Sequence, residues 1–222
     1  MKKVSFILFF MCFAFVKAQT LQWSSYTDSI VVISSPRVAD LNSDGVLDIV
    51  IGGGTDSYQS NYGIMAFDGL NGNNLWTVSS SDEIFGSAIF NDISGDGIPD
   101  VFIGGRHAQF YAINGANGNI LWEAFPQTPG INPSDSGMYN YYSGQIIPDQ
   151  NNDQIEDILI ANGGDHYAAP WDPRPPGHLM VLDGLSGSVL AKAVMPDSNE
   201  TYCSPIVTDL KNIPLVNESV EL

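Results

Sequence analysis

The stretch Asp40-Leu-Asn42-Ser-Asp44-Gly45-Val46-Leu-Asp48 runs straight into Ile49-Val-Ile-Gly-Gly-Gly54. Side-chain oxygens stand at loop positions 1, 3, 5 and 9, and a glycine at position 6. The pattern returns as Asp92-Ile-Ser94-Gly-Asp96-Gly97-Ile98-Pro-Asp100, followed by Val101-Phe-Ile-Gly-Gly105. It returns again as Asp149-Gln-Asn151-Asn-Asp153-Gln154-Ile155-Glu-Asp157, followed by Ile158-Leu-Ile-Ala-Asn-Gly-Gly164. The first aspartates lie 52 and 57 residues apart. A period of this length means that each copy is one supersecondary unit, stable only when stacked on its neighbours. A fainter fourth start, Ser204-Pro-Ile-Val-Thr-Asp209-Leu, matches the lead-in Ser35-Pro-Arg-Val-Ala-Asp40-Leu.

A second element repeats in phase with the first. It reads Ile64-Met-Ala-Phe-Asp68-Gly-Leu-Asn-Gly72 before Asn-Asn-Leu-Trp76, and Phe110-Tyr-Ala-Ile-Asn114-Gly-Ala-Asn-Gly118 before Asn-Ile-Leu-Trp122. Its third copy is Leu179-Met-Val-Leu-Asp183-Gly-Leu-Ser-Gly187 before Ser-Val-Leu190. Each unit reads as four strands: a lead-in, the apolar run after the acidic loop, a run ending at Asp/Asn-Gly, and the strand carrying Leu-Trp. Val, Ile, Phe and Tyr dominate these runs, and no long helical period competes with them. The Asp/Asn-Gly pair supplies the positive φ of a tight hairpin.

The expected fold class is therefore all-β, a β-propeller of four-stranded blades with about three and a half blades present. Approximate blade bounds are 30–78, 84–124, 140–192 and a partial 202–222. An open β-array or a sandwich is the competing arrangement. Propellers need at least four blades, so the chain is expected to be a partial propeller. Its remaining blades would come from downstream sequence or from another chain.

Phe85-Gly-Ser-Ala-Ile-Phe-Asn-Asp92, with its loop and Val101-Phe-Ile-Gly-Gly105, resembles an FG-GAP (VCBS-type) repeat of the integrin α-subunit propeller. The Asp68-Gly…Trp76 and Asn114-Gly…Trp122 boxes also resemble the blades of quinoprotein propellers. The resemblance covers nearly all of residues 30–210 and implies blades around an axis, with calcium in interstrand hairpin loops. Gln154 departs from it, standing where the first two loops have glycine.

The residues support calcium independently, because the ion takes six to eight oxygen ligands. Asp40, Asn42, Asp44 and Asp48 with the Val46 carbonyl make the first set. Asp92, Ser94, Asp96 and Asp100 with the Ile98 carbonyl make the second. Asp149, Asn151, Asp153 and Asp157 with the Ile155 carbonyl make the third. No His or Cys falls at these positions, which disfavours zinc. A polar hairpin capped by Asp and Asn is the alternative.

Residues 1–18 read as a secretory signal peptide: Lys2 and Lys3, an apolar run Val4–Val16, and a Val16-Lys17-Ala18 cleavage site. That run is too short to span a membrane, which takes roughly 20 residues. The expected location is secreted or cell-surface, with 19–222 as the propeller. Losing Lys2, Lys3 and Lys17 from the eight basic residues leaves five against 25 acidic ones. Such a charge repels nucleic acid and anionic lipid. Cys203 is left alone once Cys12 is removed, so no intrachain disulfide is expected.

Two connections are long. Trp122 to Gly144 spans 22 residues where Trp76 to Gly86 spans 10, and Gly163 to Asp183 spans 20 where Gly104 to Asn114 spans 10. Both insertions fall on the face away from the acidic loops and are rich in Pro and aromatics. Tyr167, Trp171 and Arg174 are the candidates there for holding a protein or carbohydrate ligand. The functional expectation is an extracellular binding or adhesion module. The alternative is an enzyme, either a quinoprotein-like dehydrogenase or a polysaccharide-acting propeller. No Ser-His-Asp spacing or adjacent cysteine pair supports catalysis.

Overall fold

The computed structural model describes residues 21–107, 109–124, 140–163, 171 and 173–208. The proposed signal segment, Tyr167, most of the first long insertion and the chain from Asp209 lie outside the described residues. Among the described residues all regular structure is β, and the expected four-stranded units are present as three antiparallel sheets. The first is β1 (Arg37–Ala39), β2 (Asp48–Gly52), β3 (Ser60–Phe67) and β4 (Asn74–Ser80), in that order. The second is β5 (Ile89–Asn91), β6 (Asp100–Gly104), β7 (Phe110–Ile113) and β8 (Ile120–Ala124). The third is β10 (Gln145–Ile147), β11 (Asp157–Gly163), β12 (His178–Leu182) and β13 (Val189–Val194). A short β9 (Asn140–Tyr141) also pairs with β11, so β9 and β10 are two pieces of one interrupted inner strand.

Register repeats with the sequence. Ala39 faces Asp48, Asn91 faces Asp100 and Ile147 faces Asp157, so the last loop residue always opens the second strand. Burial explains the strand compositions. In β2 alternate residues are buried, whereas β6 and β7 are buried throughout. The middle sheet is covered on both faces, and a strand covered on both faces reads as a continuous apolar run. Val101, Ile103, Tyr111 and Ile113 pack on Val50, Ile64, Ala66 and Trp76 of the first blade. Phe102, Phe110 and Ala112 pack on Ile158, Ile160, Met180 and Leu182 of the third.

Tryptophan ties blade to blade. Trp76 Nε1 donates to the Gly115 carbonyl at 2.6 Å, and Trp122 Nε1 to the Gly184 carbonyl at 3.0 Å. Each indole thus latches onto the Asp/Asn-Gly turn of the following blade. Trp23 makes the same bond to Gly69, at 2.9 Å, and so stands where a preceding blade's tryptophan would. The positive φ expected of the Asp/Asn-Gly glycine falls instead on the last glycine of the box, with φ 77° at Gly118. Gly115 is required for space: a Cβ there would lie 2.0 Å from the Pro99 carbonyl oxygen.

The inner segments are joined by serines at one register. Ser35 N–H donates to Ser87 Oγ (3.2 Å), and Ser87 N–H donates to Ser143 Oγ (2.7 Å). The three innermost strands therefore gather about a common centre, as blades of a propeller do.

His178, on β12 across from Asn162, is buried among these blades. Burial, helped by the charge of Lys192, holds its imidazole below the ordinary value of 6.5. The unfolded chain then binds the proton first, so stability falls as pH drops below about 6.5 and is unaffected above it. Urea unfolding of His178→Leu between about pH 7 and pH 5 is expected to show a shallower loss than wild type. Equal slopes would remove this assignment.

Candidate metal loops and the opposite face

All three loops fold alike. Positions 4 and 6 are left-handed in each: Ser43 and Gly45 (φ 60° and 83°), Gly95 and Gly97 (73° and 85°), Asn152 and Gln154 (66° and 75°). Gln154 thus takes the conformation that glycine takes in the other two, at a cost of about 1 kcal/mol. The position-1 aspartate accepts the position-6 N–H in each copy: Gly45 to Asp40 at 3.0 Å, Gly97 to Asp92 at 2.9 Å, Gln154 to Asp149 at 2.8 Å. The position-5 aspartate accepts the position-7 N–H, Val46 to Asp44, Ile98 to Asp96 and Ile155 to Asp153.

Asp48, Asp100 and Asp157 are 0% exposed. One oxygen of each takes the position-2 N–H, from Leu41, Ile93 and Gln150. The other takes the turn glycine N–H of the same blade, from Gly69 (2.9 Å), Gly115 (3.2 Å) and Gly184 (3.1 Å). The closing aspartate therefore staples the loop to the β3–β4, β7–β8 or β12–β13 turn. Loop and turn share one face, as the connectivity implied. This dual role was not legible from the loop motif alone; the in-phase repeat of the Asp/Asn-Gly box was its signal.

Asn114 extends the second loop. Its Nδ2 donates to Asp96 Oδ2 (2.8 Å) and Ser94 Oγ (3.2 Å). That bond, with the Ile98 N–H, lowers the Asp96 pKa below the ordinary carboxylate value. Asp149 is lowered too, chiefly by the Gln154 N–H and then by those of Asn152 and Asn151. Both carboxylates are held charged, as a cation ligand must be.

The donor chemistry fits a hard divalent ion, since every candidate atom is oxygen. Asp40 Oδ1 is buried and has no hydrogen-bond partner. Among the described residues no three His, Cys, Asp or Glu side chains gather as a metal-holding group. Asn42, Ser94 and Asn151, with the carbonyls of Val46, Ile98 and Ile155, would have to complete any set.

Of the three candidates for the opposite face, Trp171 and Arg174 lie among the described residues. Trp171 is 83% exposed. Arg174 already has a carboxylate partner, pairing through Nη1 with Glu200 (3.1 Å) and with the Tyr202 hydroxyl (2.7 Å). Beside it runs a row of rings. Phe85 and Tyr142 have centroids 5.2 Å apart, Tyr142 and Tyr202 6.2 Å, and the Arg106 guanidinium lies 5.7 Å from the Phe85 ring. These rings occupy one repeat position, seven residues before Asp92, Asp149 and Asp209. Aligning the lead-ins, as well as the loops, would have found them.

No protein-family model and no curated protein matches the sequence. Among solved structures, BamB from Moraxella catarrhalis is similar at 17% identity and a TM-score of 0.51, over 83% of this chain and 43% of that one. The Vibrio cholerae biofilm matrix protein Bap1 is similar at 17% identity over 73% of this chain and 20% of that one, with a TM-score of 0.43. Rhamnogalacturonan lyase YesW is similar at 15% identity over 73% and 34%, with a TM-score of 0.46. This chain spans less than half the length of each. The likeness to BamB and the three stacked sheets define a β-propeller-like protein, present here as a partial propeller. Among the described residues no helix is long and apolar enough to cross a membrane.

Proposed function

We propose that this chain is part of a secreted, calcium-binding propeller of the FG-GAP/VCBS kind, serving as an extracellular or cell-surface recognition and adhesion module. One observation carries the calcium reading. Three loops adopt the same left-handed residues and the same N–H bonds; Asp96 and Asp149 are held charged, and in the first loop Asp40 Oδ1 is buried without a partner. In that reading the ion supplies the positive charge that holds the carboxylates of each loop together. The chain's own part is to preform the loop through its N–H bonds, so that little order is lost on binding. Export is consistent with the modest affinity of extracellular calcium modules, about 10⁻⁴ to 10⁻³ M.

Thermal melting tests it. Raising calcium from chelated to about 10 mM is expected to stabilise by about 1.4 kcal/mol for each site of Kd near 1 mM, hence several degrees. Magnesium at the same ionic strength is expected to do much less, because it demands a tighter octahedral shell. An unchanged melting temperature would end the calcium reading.

A further inference from the structure

We propose that the cavity on the propeller axis binds a carboxylate-bearing sugar unit of an acidic glycan. This rests on the recognition-module reading above and names its ligand class, but it does not need calcium. The cavity has a volume of about 610 Å³ and is walled by successive inner segments, among them Ser35, Arg37, Ser87, Ser143, Gln145 and Ser204. That volume is in the range of small-molecule sites.

The wall is rich in donors. Ser87 Oγ and Ser143 Oγ each accept a backbone N–H from the preceding inner segment. Among the described residues neither hydroxyl donates elsewhere, so each O–H is available to a ligand. Arg37 adds a guanidinium. The sequence has three arginines. Arg106 pairs with Glu83 and Asp56, and Arg174 with Glu200. Among the described residues Arg37 has no acidic partner, in a chain of net charge −17. A guanidinium lining the same cavity as two hydroxyl donors suits a carboxylate, which only accepts and can take Arg bidentately.

The rings set the rest of the ligand. Phe85, Tyr142 and Tyr202 each precede a cavity-wall residue by one or two positions, on the side away from the acidic loops. Tyr202, 56% exposed at the end of the row, offers an apolar ring against which a sugar ring can lie, and Tyr142 packs edge-on behind it. Sugar hydroxyls both donate and accept, so they tolerate a donor-rich wall. Triglutamate offers the carboxylates without the ring of hydroxyls that this serine wall can meet.

The test is calorimetric titration of the calcium-saturated protein with trigalacturonate, against maltotriose and triglutamate. Trigalacturonate is expected to bind, and Arg37→Ala to weaken it about tenfold or more, the scale of a lost charge-assisted hydrogen bond. Arg37→Lys is expected to fall between, keeping the charge and losing the fork. Tyr142→Ala is expected to weaken trigalacturonate binding while leaving the chain folded by circular dichroism. Triglutamate binding as tightly, unchanged affinity in Arg37→Ala, or no binding of trigalacturonate at millimolar concentration would each overturn the proposal. A protein stabilised by calcium that ignores trigalacturonate keeps the calcium reading and loses this one.

Discussion

Asp100→Ala is expected to lower the unfolding free energy by about 4 kcal/mol, measured by urea denaturation in chelator. Asp100 is fully buried and accepts the N–H groups of Ile93 (2.9 Å), Ser94 (2.7 Å) and Gly115 (3.2 Å). Alanine leaves all three donors without an acceptor, and each orphaned buried group costs about 1–3 kcal/mol. The comparison that isolates this role is Asp96→Ala in the same loop. Asp96 is an exposed member of the same ligand set, so without metal its loss is expected to cost under about 1 kcal/mol. With calcium present both variants also lose the calcium increment of that loop. A cost below 1 kcal/mol for Asp100→Ala, or equal costs for the two in chelator, would show that the closing aspartate does not staple loop to turn.

The second large effect is expected at Trp76. Trp76→Ala removes an indole packed between the first two blades and its bond to the Gly115 carbonyl. Large aromatic truncations of this kind cost about 3–5 kcal/mol. Because the residue couples two blades, the urea slope is also expected to fall as the transition loses cooperativity. Trp76→Phe keeps most of the packing and loses the hydrogen bond, so about 1–2 kcal/mol is expected. Gly118→Ala probes the same contact from the other side. Its Cβ would lie 2.8 Å from Trp76 Cβ, on a backbone at φ 77°. Should Trp76→Ala cost no more than Trp76→Phe, the latch is a surface contact only.

Much of this was written in the repeats. The spacing of Asp40, Asp92 and Asp149 gave the number and order of sheets, because each copy carries its own lead-in, loop and paired strands. The strain at Gln154 was also legible, since a residue standing for a loop glycine inherits its φ. Period-2 and near-continuous apolar runs announced strands, yet they did not say that the second sheet would be buried on both faces. That depends on which blades flank it.

Sequence alone determined local matters: strand identity, loop conformation, and which residue types could hold a cation. These follow from neighbours along the chain and from side-chain chemistry. Tertiary structure decided what joins segments distant in the chain, within a blade and between blades. It turned Asp48, Asp100 and Asp157 inward as staples and put each tryptophan on the next blade's turn. It gave Arg174 to Glu200, left Arg37 to the axis, and brought Phe85, Tyr142 and Tyr202 into one row. It also explained Gly52, where a Cβ would lie 2.4 Å from the Ile84 carbonyl oxygen as the β4–β5 connection crosses. Contacts such as Trp76 to Gly115, 39 positions apart, and Trp122 to Gly184, 62 apart, are set by how sheets stack, and no local pattern along one chain encodes them.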